Sequence, residues 1–357
     1  MKTYIKFISL IFLKSLLFVF LIMTSLVFIL NLLSELEFFK NENVSINFTL
    51  FLSLLNSPSL IFEMFPFIML ITIQLFFIKI SENKELEIFK YSGLQNSSII
   101  KIISVLSIIT GIVVVSLFYN LSSNLKNVYL ELKSSYTNDG KYQAVVTKNG
   151  LWIKDKINNK IIITNSSSIE DQFLMNNFIT IFDEDFNVIK NIKSEKIDIT
   201  SNNWQIFDPR VYQMNNYTDS AQIELMTNFD LNRVQTLYSN LSALNLFKLY
   251  ELRENYKKIN YSITDIDLHL LKLSFYPIYL FLMALFSCLI MFNIKKIKSS
   301  TFKIFIGLFF SVIIYYLNNF SYVLGGTETI SLIFSISIPI IFLASVNFLM
   351  LYKVNDK

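Results

Sequence analysis

The sequence predicts a membrane protein of mixed class, in which six transmembrane helices in two groups of three (three + three) are separated by an inserted β domain. The 357 residues are 53% hydrophobic and only 16% charged, whereas an average soluble domain carries roughly 25% charge. The mean hydropathy of +0.49 excludes an ordinary soluble enzyme and a disordered protein. The apolar residues form long runs on both sides of a polar stretch.

Six apolar runs reach the length of about 20 residues that a helix needs to cross the hydrocarbon core of a membrane. They cover residues 8–33, 60–80, 99–121, 270–292, 302–324 and 330–352. We therefore expect residues 1–121 to hold the first three spans, residues 122–264 to form a domain outside the membrane, and residues 265–357 to hold the last three spans.

Lysine residues predict the orientation of the spans, because cytoplasmic loops carry an excess of Lys and Arg. The links between spans two and three and between spans four and five are rich in lysine, whereas the opposite links carry almost none. These lysines are Lys79, Lys84, Lys90, Lys101, Lys295, Lys296, Lys298 and Lys303. Both termini are therefore expected in the cytoplasm, with the large domain on the outer side.

Within the inserted domain the pattern changes to short runs of β-branched and aromatic residues. The runs cover residues 141–147, 151–155, 161–164, 178–182, 192–199 and 204–214. Turn pairs such as Asn149-Gly150 and Asn158-Asn159 separate them. Runs about 10 residues apart predict an all-β sandwich, a jelly roll or an open barrel. A helix is expected to follow over residues 243–258.

The sequence offers few residues for catalysis. Its single His and single Cys, His269 and Cys288, exclude a disulfide framework, a Cys/His zinc site and most hydrolases with a Ser-His or Cys-His pair. It has no Gly-x4-Gly-Lys-Ser/Thr loop. We therefore expect no metal, no cofactor and no ATP hydrolysis by the chain itself. The alternative is a membrane-anchored lipid-modifying enzyme that uses outer-surface groups such as Glu35, Asp267 and His269.

The link between spans two and three predicts a short amphipathic helix near residues 81–93. Ser81 is a candidate cap for its first turn, and Gly93 supplies a left-handed stop. Carboxylates lie in the first turns, beside the positive end of the helix dipole. The candidate docking residues are Glu82, Glu85, Leu86, Phe89 and Gly93. The pattern leaves two interpretations open: a surface turn that only connects two spans, or a docking helix for a soluble partner.

Four segments stand out beside this layout. They are residues 63–70 with Phe65-Pro66, the acidic helix of residues 85–93 ending in Ser92-Gly93, residues 150–155 (Gly-Leu-Trp-Ile-Lys-Asp), and residues 307–319 with Tyr315-Tyr316. In order and spacing, across essentially the whole chain, they resemble the LptF/LptG (YjgP/YjgQ) family of permeases from the lipopolysaccharide-export ABC transporter. The segment 150–155 and span five favour the LptG branch.

The resemblance implies a subunit without an active site that forms a heterodimer with a homologous permease. A cytoplasmic ABC ATPase dimer is expected to bind the coupling helices, where Glu85 matches an acid that faces a basic residue of the ATPase. Lipopolysaccharide is expected to leave the inner membrane between the paired spans, enter a periplasmic jellyroll and pass to a periplasmic bridge protein. The alternative of a mechanotransmitting ABC subunit without lipid passage fits the three-plus-three layout less well.

Two further expectations concern the lipid path. Asn31 occupies the place at the end of span one where a basic residue of the family meets lipid phosphates. In the β domain, an apolar inner face is expected to hold acyl chains, with Ile153, Ile162, Phe178 and Phe182 as its strand residues. Phe178 and Phe182 lie on one face of their strand. An ordinary sandwich core produces the same alternation.

Overall fold

A computed structural model describes residues 3–40, 44–134, 136, 143–147, 150–213, 216–231, 234, 240–258, 262–293 and 299–355. The expected strand start at residue 141, the turn residue Asn149 and the lysines Lys295, Lys296 and Lys298 lie outside the described residues. The chain divides into two compact units. The helical unit comprises residues 1–129 and 267–357, and the β unit comprises residues 130–266.

Within these described ranges, six helices are long and apolar enough to cross a membrane, which confirms the six expected spans. The helices of the chain are α1 (Thr3–Phe38), α2 (Ile46–Glu82), α3 (Glu85–Tyr91), α4 (Asn96–Val113), α5 (Tyr119–Ser134), α6 (Leu246–Lys258), α7 (Thr264–Asn293), α8 (Ser300–Gly326) and α9 (Leu332–Asn355). A π-helical segment, Val114–Phe118, joins α4 and α5 into the third span. The short helix α6 belongs to the β unit.

Several helices extend beyond the apolar runs that predict them. Helix α2 has 37 residues and is about 55 Å long, against roughly 30 Å for the hydrocarbon core. It begins at Ile46, where the Ser45 hydroxyl accepts a hydrogen bond from the Phe48 N–H. Helix α5 continues the third span to Ser134. The continuation of the third span is polar and lies outside any hydropathy window, so it was not expected.

Helices α2 and α7 form the centre of the helical unit. In each of them 67% of the most apolar stretch is buried, against 22–28% in the other four spans. Leu70, Met283, Ile314 and Leu343 meet in a buried cluster between α2, α7, α8 and α9. The Ser287 hydroxyl donates to the Leu70 carbonyl at 2.9 Å. Packing and interhelical hydrogen bonds of this kind hold helices together in a lipid environment.

The described part of the β unit forms an antiparallel sheet of nine strands, which confirms the inserted β domain. The strands are β1 (Gln143–Thr147), β2 (Gly150–Ile157), β3 (Lys160–Glu170), β4 (Phe173–Phe182), β5 (Val188–Asp198), β6 (Asn203–Phe207), β7 (Arg210–Gln213), β8 (Asn216–Asp219) and β9 (Gln222–Met226). Strands β1 to β6 pair in chain order, and β9 pairs with β6. Strand β5 also pairs with β7, which pairs with β8.

The turn chemistry explains most of the strand boundaries. Asn158 and Asn159 both adopt positive φ, 47° and 64°, as a tight hairpin between β2 and β3 requires, so the expected turn is confirmed. The single strand expected over residues 204–214 is wrong, because it divides into β6 and β7. Pro209 interrupts it, since proline has no N–H for the ladder, and Asp208 adopts a φ of 45°.

One face of the sheet is covered by the segment that follows β9. Trp204 is 1% exposed, and its indole N–H donates to the Phe229 carbonyl at 2.6 Å. Asp155, on β2, is 2% exposed and accepts hydrogen bonds from the backbone N–H and side-chain amide of Asn228 at 2.8 and 2.9 Å. The segment therefore connects β2, at one side of the sheet, with β6, at the other.

Candidate functional site

A cavity of about 660 Å³ lies inside the helical unit, between α1, α2, α7, α8 and α9. Its apolar lining includes Val27, Leu30, Leu60, Phe67, Met283, Val312, Ile336 and Ile340. Its polar lining includes Asn31, Ser34, Asn56, Glu63, Lys272, Tyr315, Asn318 and Asn319. A cavity of this size, mostly apolar with a few polar groups, is typical of a binding site for an amphiphilic molecule.

The polar groups are concentrated toward one end of the cavity. This is the end of the helical unit at which α1 and α8 finish and α7 begins. In α7, Lys272 lies near the start of the helix, and Met283 lies 11 residues further on, roughly 16 Å along the axis. In α8, Asn318 and Asn319 precede the end of the helix, and Val312 lies deeper. The cavity is therefore amphiphilic along the helix axes.

Asn31 forms part of the cavity wall, as part of a hydrogen-bonded pair of amides. Its Nδ2 donates to the Ser53 carbonyl at 3.0 Å, and its Oδ1 accepts from the Asn56 Nδ2 at 3.0 Å. These bonds attach the end of α1 to α2. The side chain is 7% exposed, so it shapes the polar end of the cavity and positions Asn56 beside it.

Glu63 and Lys272 bring opposite charges to the same wall. Glu63 is exposed, and both Glu63 and Lys272 line the cavity. The Lys272 Nζ lies 5.0 Å from the centre of the Tyr322 ring, a cation–π distance. Sequence reasoning did not select Lys272. The signal for it is a charged residue within the first turns of a span, where membrane burial makes charge costly.

His269 has a structural role in this region. It is 9% exposed, and its Nε2 lies 2.9 Å from the Tyr119 hydroxyl in a buried hydrogen bond. Phe62 stacks on Tyr276 at 4.7 Å, and the Tyr276 hydroxyl donates to the Phe62 carbonyl. The single imidazole is thus part of the packing that holds α5 and α7 together. Across the described ranges, no group of three His, Cys, Asp or Glu side chains could hold a metal ion.

Helix α3 corresponds to the short helix expected near residues 81–93. Gly93 has a φ of 80°, and the Leu94 N–H donates to the Phe89 carbonyl at 2.9 Å, which confirms the left-handed stop. The expected cap at Ser81 is wrong. Ser81 and Glu82 lie in the last turn of α2, because the Ser81 carbonyl accepts from the Lys84 N–H and so closes that helix instead.

The exposed residues of α3 are not the ones that were expected to dock a partner. Leu86 and Phe89 are half-buried, and the Phe89 ring packs on Phe7 of α1 at 6.0 Å. The exposed positions are Ile88 at 61% and Tyr91 at 89%, which sequence reasoning did not select. A helix of seven residues presents few positions to a partner, so burial against α1 leaves these two as its apolar contact surface.

Glu85 is half-buried at the start of α3. Its Oε1 accepts a hydrogen bond from the Asn83 side chain at 3.4 Å. Its Oε2 is enclosed and accepts no hydrogen bond from any residue that the structure describes. An enclosed carboxylate oxygen without a donor is unfavourable by itself, and a basic group supplied to this position would stabilise it.

Comparison with protein families identifies the chain. Over residues 7–353 the sequence matches the family described as lipopolysaccharide export system permease LptF/LptG. The chain belongs to the LptF/LptG family. It is therefore a permease in lipopolysaccharide export, and not an enzyme. No curated protein sequence matches the chain.

In the β unit of this LptF/LptG-family chain, the four expected lipid-path residues lie on two different faces of the sheet. Ile153 and Ile162 are 2% and 5% exposed and lie on the covered face. Phe178 is 45% exposed and lies on the opposite face with the half-buried Phe182. The reason is register: Ile162 pairs with Ile181, and not with Phe182.

Proposed function

We propose that this LptF/LptG-family chain is one of two membrane subunits of an ABC transporter, and that its cavity takes the lipid portion of lipopolysaccharide. The observation that carries the proposal is the amphiphilic cavity, which matches a lipid with a polar headgroup at one end. Its volume of about 660 Å³ holds part of such a lipid. A second, homologous permease would supply the opposite wall and complete a heterodimer.

Exposed apolar helix faces support a partner in the membrane. The spans of α1, α8 and α9 are each less than a third buried within the chain. On α8, Phe309, Tyr316 and Phe320 are 56%, 67% and 64% exposed. Some of these faces contact lipid, and a homologous subunit would cover others. Because α8 also lines the cavity, a subunit packed against α8 would stand next to the entry path of the lipid.

The lysines that the structure describes support one orientation of the chain in the membrane. Lys79, Lys84 and Lys101 lie near the two ends of α3, and Lys303 lies in the first turn of α8. We propose that this end is cytoplasmic, that both termini lie there, and that the β unit is a periplasmic jellyroll-like domain. The polar end of the cavity would then lie at the outer leaflet. The β unit would pass the lipid to a periplasmic bridge protein. Residues 150–155 favour the LptG role.

We further propose that α3 is the docking helix for an ABC ATPase dimer. Glu85 provides an enclosed carboxylate oxygen that lacks a donor, which suits a basic side chain of the ATPase. Ile88 and Tyr91 provide exposed apolar contacts, and aromatic residues of this kind often dominate the binding energy of an interface. Glu82 and Gly93 flank the surface.

The test is to solubilise the tagged full chain gently from its membrane and identify what accompanies it. The wild type is expected to bring an ATPase and one membrane subunit of similar size. Glu85→Lys should lose the ATPase and keep the membrane subunit, because reversal of the charge repels a basic partner. Glu37→Lys, the same charge reversal at an exposed position at the far end of α1, is the control and should keep both. An undiminished ATPase yield with Glu85→Lys would contradict the docking assignment.

A further inference from the structure

The uncovered face of the β sheet carries four exposed aromatic side chains. Trp152, Phe178, Tyr212 and Tyr217 are 41%, 45%, 37% and 63% exposed. They come from four strands, β2, β4, β7 and β8. Apolar surface exposed in this concentration marks an interaction site more often than chance. The side chains on the opposite face of the sheet, among them Ile153, are buried and form the core. The exposed aromatic rings are therefore not part of the core.

Strand register aligns the aromatic residues in two adjacent rows. The first row crosses six strands from β2 to β8 and consists of Trp152, Asn165, Phe178, Lys193, Arg210 and Asp219. Six strands at a spacing of about 4.8 Å give a row roughly 24 Å long. Within it, aromatic side chains alternate with an amide and with charged groups.

The second row lies two residues along each strand and therefore on the same face. It consists of Lys154, Ile163, Thr180, Asn191, Tyr212 and Tyr217. The Tyr212 and Tyr217 rings lie 6.4 Å apart. The two rows together form the surface that we call the aromatic platform.

The aromatic platform is positively charged. Lys154, Lys193 and Arg210 contribute three cations, and Asp219 is the only carboxylate in the two rows. Asp219 is already paired with Arg210, at 2.9 and 3.4 Å. Asp219 and the neighbouring Tyr212 raise the pKa of the Arg210 guanidinium further above its usual range, so it stays charged. The Arg210 group also lies 5.2 Å from the Tyr217 ring centre, which fixes its position before any ligand binds.

We propose that the aromatic platform binds a phosphorylated oligosaccharide, the sugar portion of a glycolipid. Flat aromatic rings offer apolar surfaces for the C–H faces of sugar rings. Asn191 offers an amide group for a sugar hydroxyl, and Lys193 and Arg210 offer cations for phosphate. The platform lacks the continuous apolar centre of a protein–protein interface, which favours a glycan over a protein. The inference rests on the proposed function, since it assigns a site to the part of lipopolysaccharide that the membrane cavity cannot hold.

The experiment measures binding of a deacylated, phosphorylated lipopolysaccharide oligosaccharide to the full chain in detergent. The readout is tryptophan fluorescence, because the chain has two tryptophans and only Trp152 is exposed, with Trp204 at 1%. Saturable quenching is expected. The dephosphorylated oligosaccharide should bind more weakly, and inorganic phosphate alone should not compete at the same concentration.

The variants separate the aromatic platform from the rest of the surface. Phe178→Ala and Lys193→Ala should each weaken binding roughly tenfold, from loss of a ring face and of a phosphate contact. Phe247→Ala and Lys248→Ala remove an exposed aromatic and lysine pair on α6 of the same unit, and they should leave binding unchanged. Trp152→Phe should keep the affinity, measured by calorimetry, and lose the fluorescence change. Thermal unfolding of each variant shows whether the fold is intact.

Three results would overturn the proposal. They are no saturable binding, equal weakening by the α6 control substitutions, and full competition by inorganic phosphate. Recovery of another protein bound through Phe178 in place of the oligosaccharide would assign the face to a protein partner. Because this assay uses neither lipid nor ATPase, its failure leaves the co-purification result standing. Loss of co-purification with oligosaccharide binding retained would reject the proposed function alone.

Discussion

Replacing Gly307 by alanine should destabilise the helical unit, although alanine is the better helix former. Gln74 of α2 is fully buried, and its Nε2 donates to the Lys303 carbonyl of α8 at 3.1 Å. An added Cβ at residue 307 would overlap this Nε2 and lie 3.0 Å from the Gln74 Cδ and 3.2 Å from the Leu70 Cδ2. Glycine at this position therefore lets the Gln74 amide cross between the two helices.

The expected magnitude comes from three opposing effects. Overpacking a buried contact costs about 1–3 kcal/mol, and displacing Gln74 from the Lys303 carbonyl costs about 1 kcal/mol more. The gain in helix propensity from glycine to alanine is about 1 kcal/mol. The free energy of unfolding should thus fall by about 1–3 kcal/mol in Gly307→Ala. In a Gln74→Ala background the overlap is absent, and the same substitution should be neutral or slightly stabilising.

The assay uses the single cysteine of the chain. Cys288 is 0% exposed and lies in α7, so a thiol-reactive fluorescent dye reports the unfolding of the helical unit directly on heating. Gly307→Ala should melt below the wild type, and the double variant Gln74→Ala/Gly307→Ala should melt at or above Gln74→Ala. A Gly307→Ala chain that melts at the wild-type temperature would refute the described approach of α2 and α8.

Two predictions concern the β unit. Asp155→Ala should lower its stability by about 1–3 kcal/mol, because it removes the acceptor of two hydrogen bonds from Asn228. Limited proteolysis should then cut the β unit faster, and an unchanged rate would contradict the connection between β2 and the segment that follows β9. The turn between β4 and β5 should weaken in acid, because hydrogen bonds from the Asn187 side chain and backbone lower the pKa of Asp183 below its ordinary value of 3.8. The stabilisation is complete above 3.8 and is lost as the pH falls through the lower, folded-state pKa. Hydrogen exchange of the turn should show this loss, and Asp183→Asn should abolish it.

The six spans and the inserted β domain were predictable because each depends on local composition. Hydropathy identified every spanning helix, and the pair Asn158-Asn159 marked a hairpin. The end of α3 at Gly93 was predictable in the same way, because it depends on the ability of a single glycine to adopt positive φ. Helix ends were less predictable. Helix α2 begins well before the expected span, because the helix continues through Pro58 instead of ending there.

The cavity was not predictable, because it depends on packing between distant segments. Asn31, Glu63, Lys272 and Asn318 come from four helices, and no local pattern relates them. Asn31 alone was expected to contribute. The aromatic platform was hidden for a similar reason. Alternation along β4 showed that Phe178 and Ile179 face opposite ways, but only the register between strands shows which side is covered.

Photo-crosslinking at two adjacent tyrosines of α8 can show whether the cavity holds lipopolysaccharide. Tyr315 lines the cavity, whereas its neighbour Tyr316 is 67% exposed and lies outside the lining. A photoreactive phenylalanine at each position preserves an aromatic side chain. We expect a strong lipopolysaccharide adduct at Tyr315 and a much weaker one at Tyr316 in native membranes. Equal adducts at both positions, or none at Tyr315, would contradict it.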